Sequence, residues 1–200
     1  MDTDGSNRGE SLVATARAAA AASPDGRLPL PDLIMWEIFP FEGSLQVKAL
    51  DDVQIPEPAR SGAGGIDCGV CERGAADAPW TDGRWCVRAM TEPQPLFSLF
   101  LEPLAHLGLC DLDDDHAAEL GRHVVRVTRA MEALPGVGRV HVNRWGDGAE
   151  HLHLWFFIRP AGLLQLRGSC LPDWFDTLPP MSSEDWAADV AGIRASLANA

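Results

Sequence analysis

Lysine is almost missing from this chain. Lys48 is the only one in 200 residues, and lysine and arginine together number 16 against 29 aspartates and glutamates, a formal net charge of −13. A protein that grips a nucleic-acid polymer neutralises phosphates with a surplus of cations. This balance therefore argues against a polynucleotide, and against an anionic membrane, as partner. A single small phosphate ester stays open, because a local cluster of donors can outweigh the global field. With no other lysine and no Gly-rich Walker pattern, P-loop chemistry is excluded as well. Long apolar runs are also missing: no stretch reaches the ~20 residues that span a bilayer. The N-terminus, Met1-Asp2-Thr3-Asp4, lacks the basic start of a secretory signal, and Ala18 to Ala22 is too short and too weakly apolar for its core. Five cysteines, an odd number with two in a C-x-x-C, do not form a secreted disulfide framework. The cytoplasm is the expected location.

What is present suffices for one domain with a sizeable core, at 46% hydrophobic and 22% charged residues. Residues 1–29 read as a flexible tail with a frayed helix, 30–160 as the domain, and 161–200 as an extension packed on it. Leu33 to Leu50 alternates apolar and polar residues in two runs broken at Pro40-Phe41-Glu42-Gly43, which predicts a hairpin. Pro56 to Gly65 is a linker-like loop. Arg84–Met90 and Leu96–Leu101 read as strands. Asp113-Asp114-Asp115 then opens a helix whose apolar stripe is Leu120, Val124, Val127, Met131 and Leu134, closed by Pro135-Gly136. Val137–Trp145 and His151–Arg159 read as two strands around the tight turn Gly146-Asp147-Gly148. Leu163 to Arg167 is expected to extend the sheet. Ser182-Ser183-Glu184-Asp185 reads as the start of a C-terminal helix burying Trp186, Val190, Ile193 and Leu197. The sum is an α+β fold: an antiparallel sheet, one long packed helix, and a C-terminal extension with a short helix.

Two motifs carry chemistry. Cys68-Gly69-Val70-Cys71 places two thiolates on one knuckle at a separation suited to a tetrahedral zinc. A redox C-x-x-C would open a helix, and Glu72-Arg73-Gly74 does not read as a helix start; free loop thiols are the plain alternative. His151-Leu152-His153-Leu154-Trp155 alternates on a strand, so His151, His153 and Trp155 share one face, expected to be accessible, while Leu152, Leu154 and Phe156 face the core. Cys86, Cys110 and Cys170 have no partner spacing and read as buried small hydrophobes. His116 and His123 read as solvent-facing.

A C-x-x-C, a histidine ahead of an acidic-capped helix, then Asn-x-x-Gly and H-x-H on the following hairpin resemble the histidine-triad superfamily. The resemblance covers residues 66–160 and looks closest to its zinc-binding members and the galactose-1-phosphate uridylyltransferase branch. It implies a structural zinc held by Cys68, Cys71, His106 and His151, all four positions being filled. It also implies His153 as a nucleophile that attacks a nucleotide phosphorus and forms a nucleotidyl-histidine, with Asn143 and Arg144 as phosphate contacts. The implied partner is a small nucleotide or phosphate ester, and family members often form homodimers. Two positions depart from the pattern. The third triad residue is Trp155, with one N–H donor and no acceptor, which leaves it base stacking or a single hydrogen bond. Glu150 stands where relatives carry a neutral phosphate contact. A non-catalytic, zinc-stabilised domain that binds a nucleotide or a protein, and a thiol redox protein, are the alternative readings.

Overall fold

The structure is a computed structural model and describes residues 4–199. The chain divides into two compact units, Met1–Pro58 and Ala59–Ala200.

In the first unit the expected tail holds an 18-residue helix, α1 (Asp4–Ala21). Its run of alanines, the strongest helix former, favours that outcome. Arg17 reaches a later stretch of the same unit, pairing with Asp52 at 2.8 Å and donating to the Leu50 carbonyl. The predicted hairpin between residues 33 and 50 is not there. Asp32–Met35 forms a 3₁₀ turn entered from Pro31, and residues 45–49 form no regular element. Alternation marks a strand only when a neighbour covers one face, and Met35 and Trp36 are instead exposed.

The second unit carries the sheet. Its elements are α2 (Gly69–Arg73), β1 (Trp80–Thr81), β2 (Trp85–Ala89), β3 (Ser98–Pro103), α3 (Asp114–Glu132), β4 (Val137–Asn143), β5 (Leu154–Pro160), α4 (Leu171–Phe175) and α5 (Ser183–Ala198). All pairings are antiparallel, in the order β1-β2-β3-β5-β4. Asp113 caps α3 by accepting the His116 N–H at 2.8 Å, and acids in the first turn complement the helix dipole. One face of the sheet gives Trp85, Val87, Leu99, Leu101, Phe156 and Ile158 to a core completed by Val127, Ala130 and Met131 of α3. Ile193 and Leu197 of α5 enter the same core, so the C-terminal helix is part of the fold's interior. Ser182 caps α5, its hydroxyl accepting from the Asp185 N–H.

The opposite face is covered too. The segment after β5 does not extend the sheet: Gly162 turns it with φ +80°, and Leu164–Leu166 forms a 3₁₀ turn. Leu166 and Leu171 then bury against Phe157 and Leu96. The expected open face is therefore roofed beside Trp155 by its own C-terminal extension. His123 is another departure. It is buried, its ring tilted against those of Trp80 and Trp85, with Nε2 3.0 Å from Asp82 Oδ2. The position faces β1, a two-residue strand too short for its pattern to be read. Cys86 and Cys170 are buried as expected, whereas Cys110 lies exposed on the loop before α3.

Candidate functional site

Three separate loops meet at one point. The first is the Gly-rich stretch 59–67, tied to the β4–β5 turn by a parallel bridge between Ser61 and Ala149, with Ser61 N–H to Gly148 O and Glu150 N–H to Ser61 O, both 3.0 Å. Glu150 reinforces the clamp. Its carboxylate accepts from the Gly64 N–H at 2.6 Å and lies 3.6 Å from Arg60. Glu150 is thus turned toward this loop and neutralised by Arg60. Glycine is required at 62, where φ is +73° and a Cβ would come within 3.2 Å of Cys68 Cβ.

This loop delivers Cys68 as the N-cap of α2, a single turn held by Glu72 N–H to Cys68 O and Gly74 N–H to Val70 O. The C-x-x-C does open a helix, contrary to the sequence reading. Glu72 at the positive end and Gly74, with φ +51°, at the stop are enough for five residues. The second loop follows β3 and carries His106. The third leads into β5 and carries His151 and His153, which sit just before the strand. There Leu152 N–H bonds to Leu107 O at 2.8 Å and ties the second and third loops together.

Cys68, Cys71, His106 and His151 converge so that their ligand atoms all lie within 4.8 Å of one another. His151 Nδ1 is 3.4 Å from Cys68 Sγ and 3.5 Å from Cys71 Sγ, and His106 Nδ1 is 3.6 Å from Cys71 Sγ. A tetrahedron with ordinary zinc–sulfur and zinc–nitrogen bonds has sulfur–nitrogen edges of about 3.6 Å, so the donor set fits a metal of that kind. The histidine tautomers fit as well. His151 Nε2 lies 2.8 Å from the Pro103 carbonyl, which only accepts, so Nε2 carries the proton and Nδ1 turns its lone pair to the thiols. Burial holds His151 below the ordinary imidazole range and so keeps it neutral, as a metal ligand must be. Burial, and after it the Cys68 thiol alongside, push Cys71 up, the reverse of what an activated redox thiol needs.

His153 occupies the same loop, one residue beyond Leu152. Its Nδ1 is 2.8 Å from the His151 carbonyl, so Nδ1 carries the proton and Nε2 holds the lone pair. The edge of Phe100 faces its ring, with centroids 6.2 Å apart. Trp155 pairs across β4 and β5 with Asn143 and belongs to an aromatic cluster: Phe100 edge-on at 4.3 Å, Phe157 parallel at 5.3 Å, and Trp145 edge-on at 6.0 Å. Asn143, half-buried at the end of β4, lines a cavity of about 310 Å³ with His141, Trp145 and Ser169. Arg144 is exposed and folds over Gly146, where a Cβ would meet its guanidinium at 2.7 Å. Sequence reading missed the Arg60–Glu150 clamp and the Pro103 carbonyl; the glycines at 62, 64 and 65 were the available signal for the first.

At the level of sequence the chain matches no protein-family profile and no curated protein. Its fold is that of histidine triad proteins. It is similar to a histidine triad (HIT) protein from Sinorhizobium meliloti 1021, 20% identical, with TM-score 0.50 over 62% of this chain and 93% of that one. It is similar also to a histidine triad protein from Marinobacter aquaeolei VT8, 21% identical, with TM-score 0.50 over 64% of this chain and 94% of that one. A zinc-bound histidine triad family protein from Mycobacterium smegmatis matches at TM-score 0.46, too low to bear on the metal here. Among the described residues no helix is long and apolar enough to cross a membrane.

Proposed function

We propose that this chain is a histidine-triad-type nucleotide phosphohydrolase or nucleotidyltransferase that works through His153, with a structural zinc on Cys68, Cys71, His106 and His151. The observation that carries the reading is the pair of linked tautomers. Proton placement on His151 Nε2 frees its Nδ1 for the metal, and the His151 carbonyl in turn fixes the proton of His153 on Nδ1, leaving Nε2 nucleophilic. A neutral imidazole so held can attack a phosphorus, form an N–P bond and expel the leaving group, after which water or an acceptor phosphate breaks that bond. Four protein ligands leave a metal no open position, so the zinc's contribution is to hold three loops in place. Asn143 supplies an amide toward the substrate's phosphate or ribose. Arg144 contributes charge once it swings off Gly146.

Trp155 cannot relay a proton to a leaving group. The reading therefore favours phosphate anhydrides, whose leaving group departs as a stable anion without a protein acid, over phosphoramidates, whose amine must be protonated to leave. A second reading, a non-catalytic nucleotide- or protein-binding domain, draws on the packing of Trp155 between Phe100 and Phe157. The two are separated by incubating zinc-loaded protein with nucleoside phosphoramidates, dinucleoside polyphosphates and nucleotide sugars, then measuring intact mass without acid. A nucleotidyl adduct or turnover that is absent from His153→Asn supports the enzyme. Neither adduct nor turnover, from protein holding about one zinc, sinks it in favour of the binder.

A further inference from the structure

A cavity of about 600 Å³ opens in the second unit beside the end of β2, a volume that suits a nucleotide-sized ligand. Its lining includes Arg73, Asp77, Arg88, Phe100, Trp186 and Arg194. Three arginines around one cavity are out of proportion in a chain with a net charge of −13. They are not equivalent. Arg88 is consumed by structure: its Nε donates to Glu102 Oε2 at 3.0 Å, and its two Nη atoms donate to the carbonyls of Ala76 and Gly74. With Glu102 buried beside it, that charge is cancelled. Arg73, ending α2, and Arg194, on α5, are exposed at the cavity. Against them stands Asp77 alone, whose φ of +58° is one of two positive values outside glycine among the described residues. The lining thus keeps one uncancelled positive charge and forked donors suited to an oxyanion, while Trp186 and Phe100 offer apolar walls for a flat body.

We infer that this cavity binds an anionic group, carboxylate or phosphate, through Arg73 and Arg194. Phe100 is the wall it shares with His153, the rings meeting edge-on at 6.2 Å. On the nucleotide reading proposed above, the substrate carries a second negative charge remote from the phosphorus that His153 attacks. The global negative field raises the selectivity, since an uncharged or cationic body gains nothing from the arginines, and an anion away from them is repelled.

The test is calorimetric, with zinc-loaded His153→Asn protein so that no ligand turns over. Two pairs of probes differ by one anion: UMP against orotidine 5′-monophosphate for a carboxylate, AMP against adenosine 3′,5′-bisphosphate for a phosphate. At least one added anion is expected to tighten binding about tenfold or more, as a charged hydrogen bond does. Arg73→Ala and Arg194→Ala should each abolish most of that gain, while Arg194→Lys keeps a substantial part of it. Zinc content, measured for each variant, shows that Arg73→Ala leaves the neighbouring thiolates intact. Where the parent nucleotides bind, no gain from either anion, or a gain that survives both alanine variants, overturns the inference. Phenyl phosphate separates it from the nucleotide reading. If phenyl phosphate binds through the two arginines while no nucleotide binds, the cavity assignment stands and the nucleotide reading falls. If neither the nucleotides nor phenyl phosphate bind, the cavity assignment falls as well.

Discussion

Removing the metal is the perturbation with the most to say. The four candidate ligands link parts of the chain that are far apart in sequence: Cys68 and His151 are 83 positions apart, Cys71 and His106 are 35. Cys68 is 4% exposed and His151 1% exposed, so without an ion the site keeps the Cys68 thiol and the His151 lone pair in the interior with only long sulfur–nitrogen contacts. An ion that binds the folded state alone adds about 4 kcal/mol at a thousandfold excess over its dissociation constant. For a domain of this size that corresponds to roughly 8–16 °C in melting temperature. The expected results are about one zinc per chain by elemental analysis, a melting midpoint lowered by that amount in EDTA, and its recovery on adding zinc. Cys71→Ser should hold little zinc and show no response to EDTA. Protein that purifies without metal and melts at the same temperature with or without added zinc would refute the reasoning, because the donor spacing would then be a hydrogen-bonded cluster.

Glu150→Ala removes the acceptor for Gly64 and the partner of Arg60; partly exposed as these groups are, we expect about 1–2 kcal/mol of lost stability and zinc that passes faster to a competing chelator. Unchanged zinc release would show that the 59–67 loop is held by its backbone bridge alone. Ile193→Ala should cost about 2–5 kcal/mol in urea unfolding, because Ile193 has no exposed surface and sits in the main core; a cost under ~1 kcal/mol would detach α5 from that core. Stability should also fall with acid. Burial, reinforced by Arg126 and opposed by Asp82, holds His123 below its ordinary value, and burial with Arg159 nearby does the same to His141. Unfolded histidines titrate near ~6.5, so below that pH the unfolded chain binds more protons and the fold loses stability progressively down to the lowered folded values. Asp82 adds the same sign at lower pH: burial alone would raise it, but the N–H groups of Trp85 and Arg84 outweigh that and hold it low. Urea midpoints between pH 7.5 and 5.5 should decline, less steeply in His123→Phe; a flat profile contradicts the assignment.

The long helix was legible because its signal is local and redundant: an acidic cap, a stripe from Leu120 to Leu134, and a Pro-Gly stop fall within one stretch of chain. The strands around it were legible to within a few residues for the same reason. The convergence of Cys68, Cys71, His106 and His151 was legible one residue at a time, by resemblance, since nothing in the spacing of Cys71 and His106 says that they meet. What could not be read depends on a distant partner. The alternation of residues 33–50 is as regular as that of β4, and it lacks only the neighbour that would make it a strand. His123 repeats at helical spacing from His116, yet β1 covers one and leaves the other to pair with Asp113 and Arg84. Cys110 had the composition of a buried thiol and the address of an exposed loop.

The H-x-H motif shows the same limit from the other side. Read as a strand, it puts His151 and His153 on one face with parallel roles. In the structure both residues precede β5, and their roles are sequential. The Pro103 carbonyl sets the tautomer of His151, and the carbonyl of His151 sets that of His153. One backbone unit therefore joins the candidate metal ligand to the candidate nucleophile, and a displaced His151 would carry the acceptor of His153 with it. The third position was free to leave this chain of dependence. Trp155 lies inside β5, where its ring is held by Phe100 and Phe157, and no proton assignment passes through it. That is why a tryptophan can stand there without disturbing either the Cys/His cluster or the Nδ1 proton of His153, and why, on the proposed function, the chemistry left to His153 would be chemistry with a good leaving group.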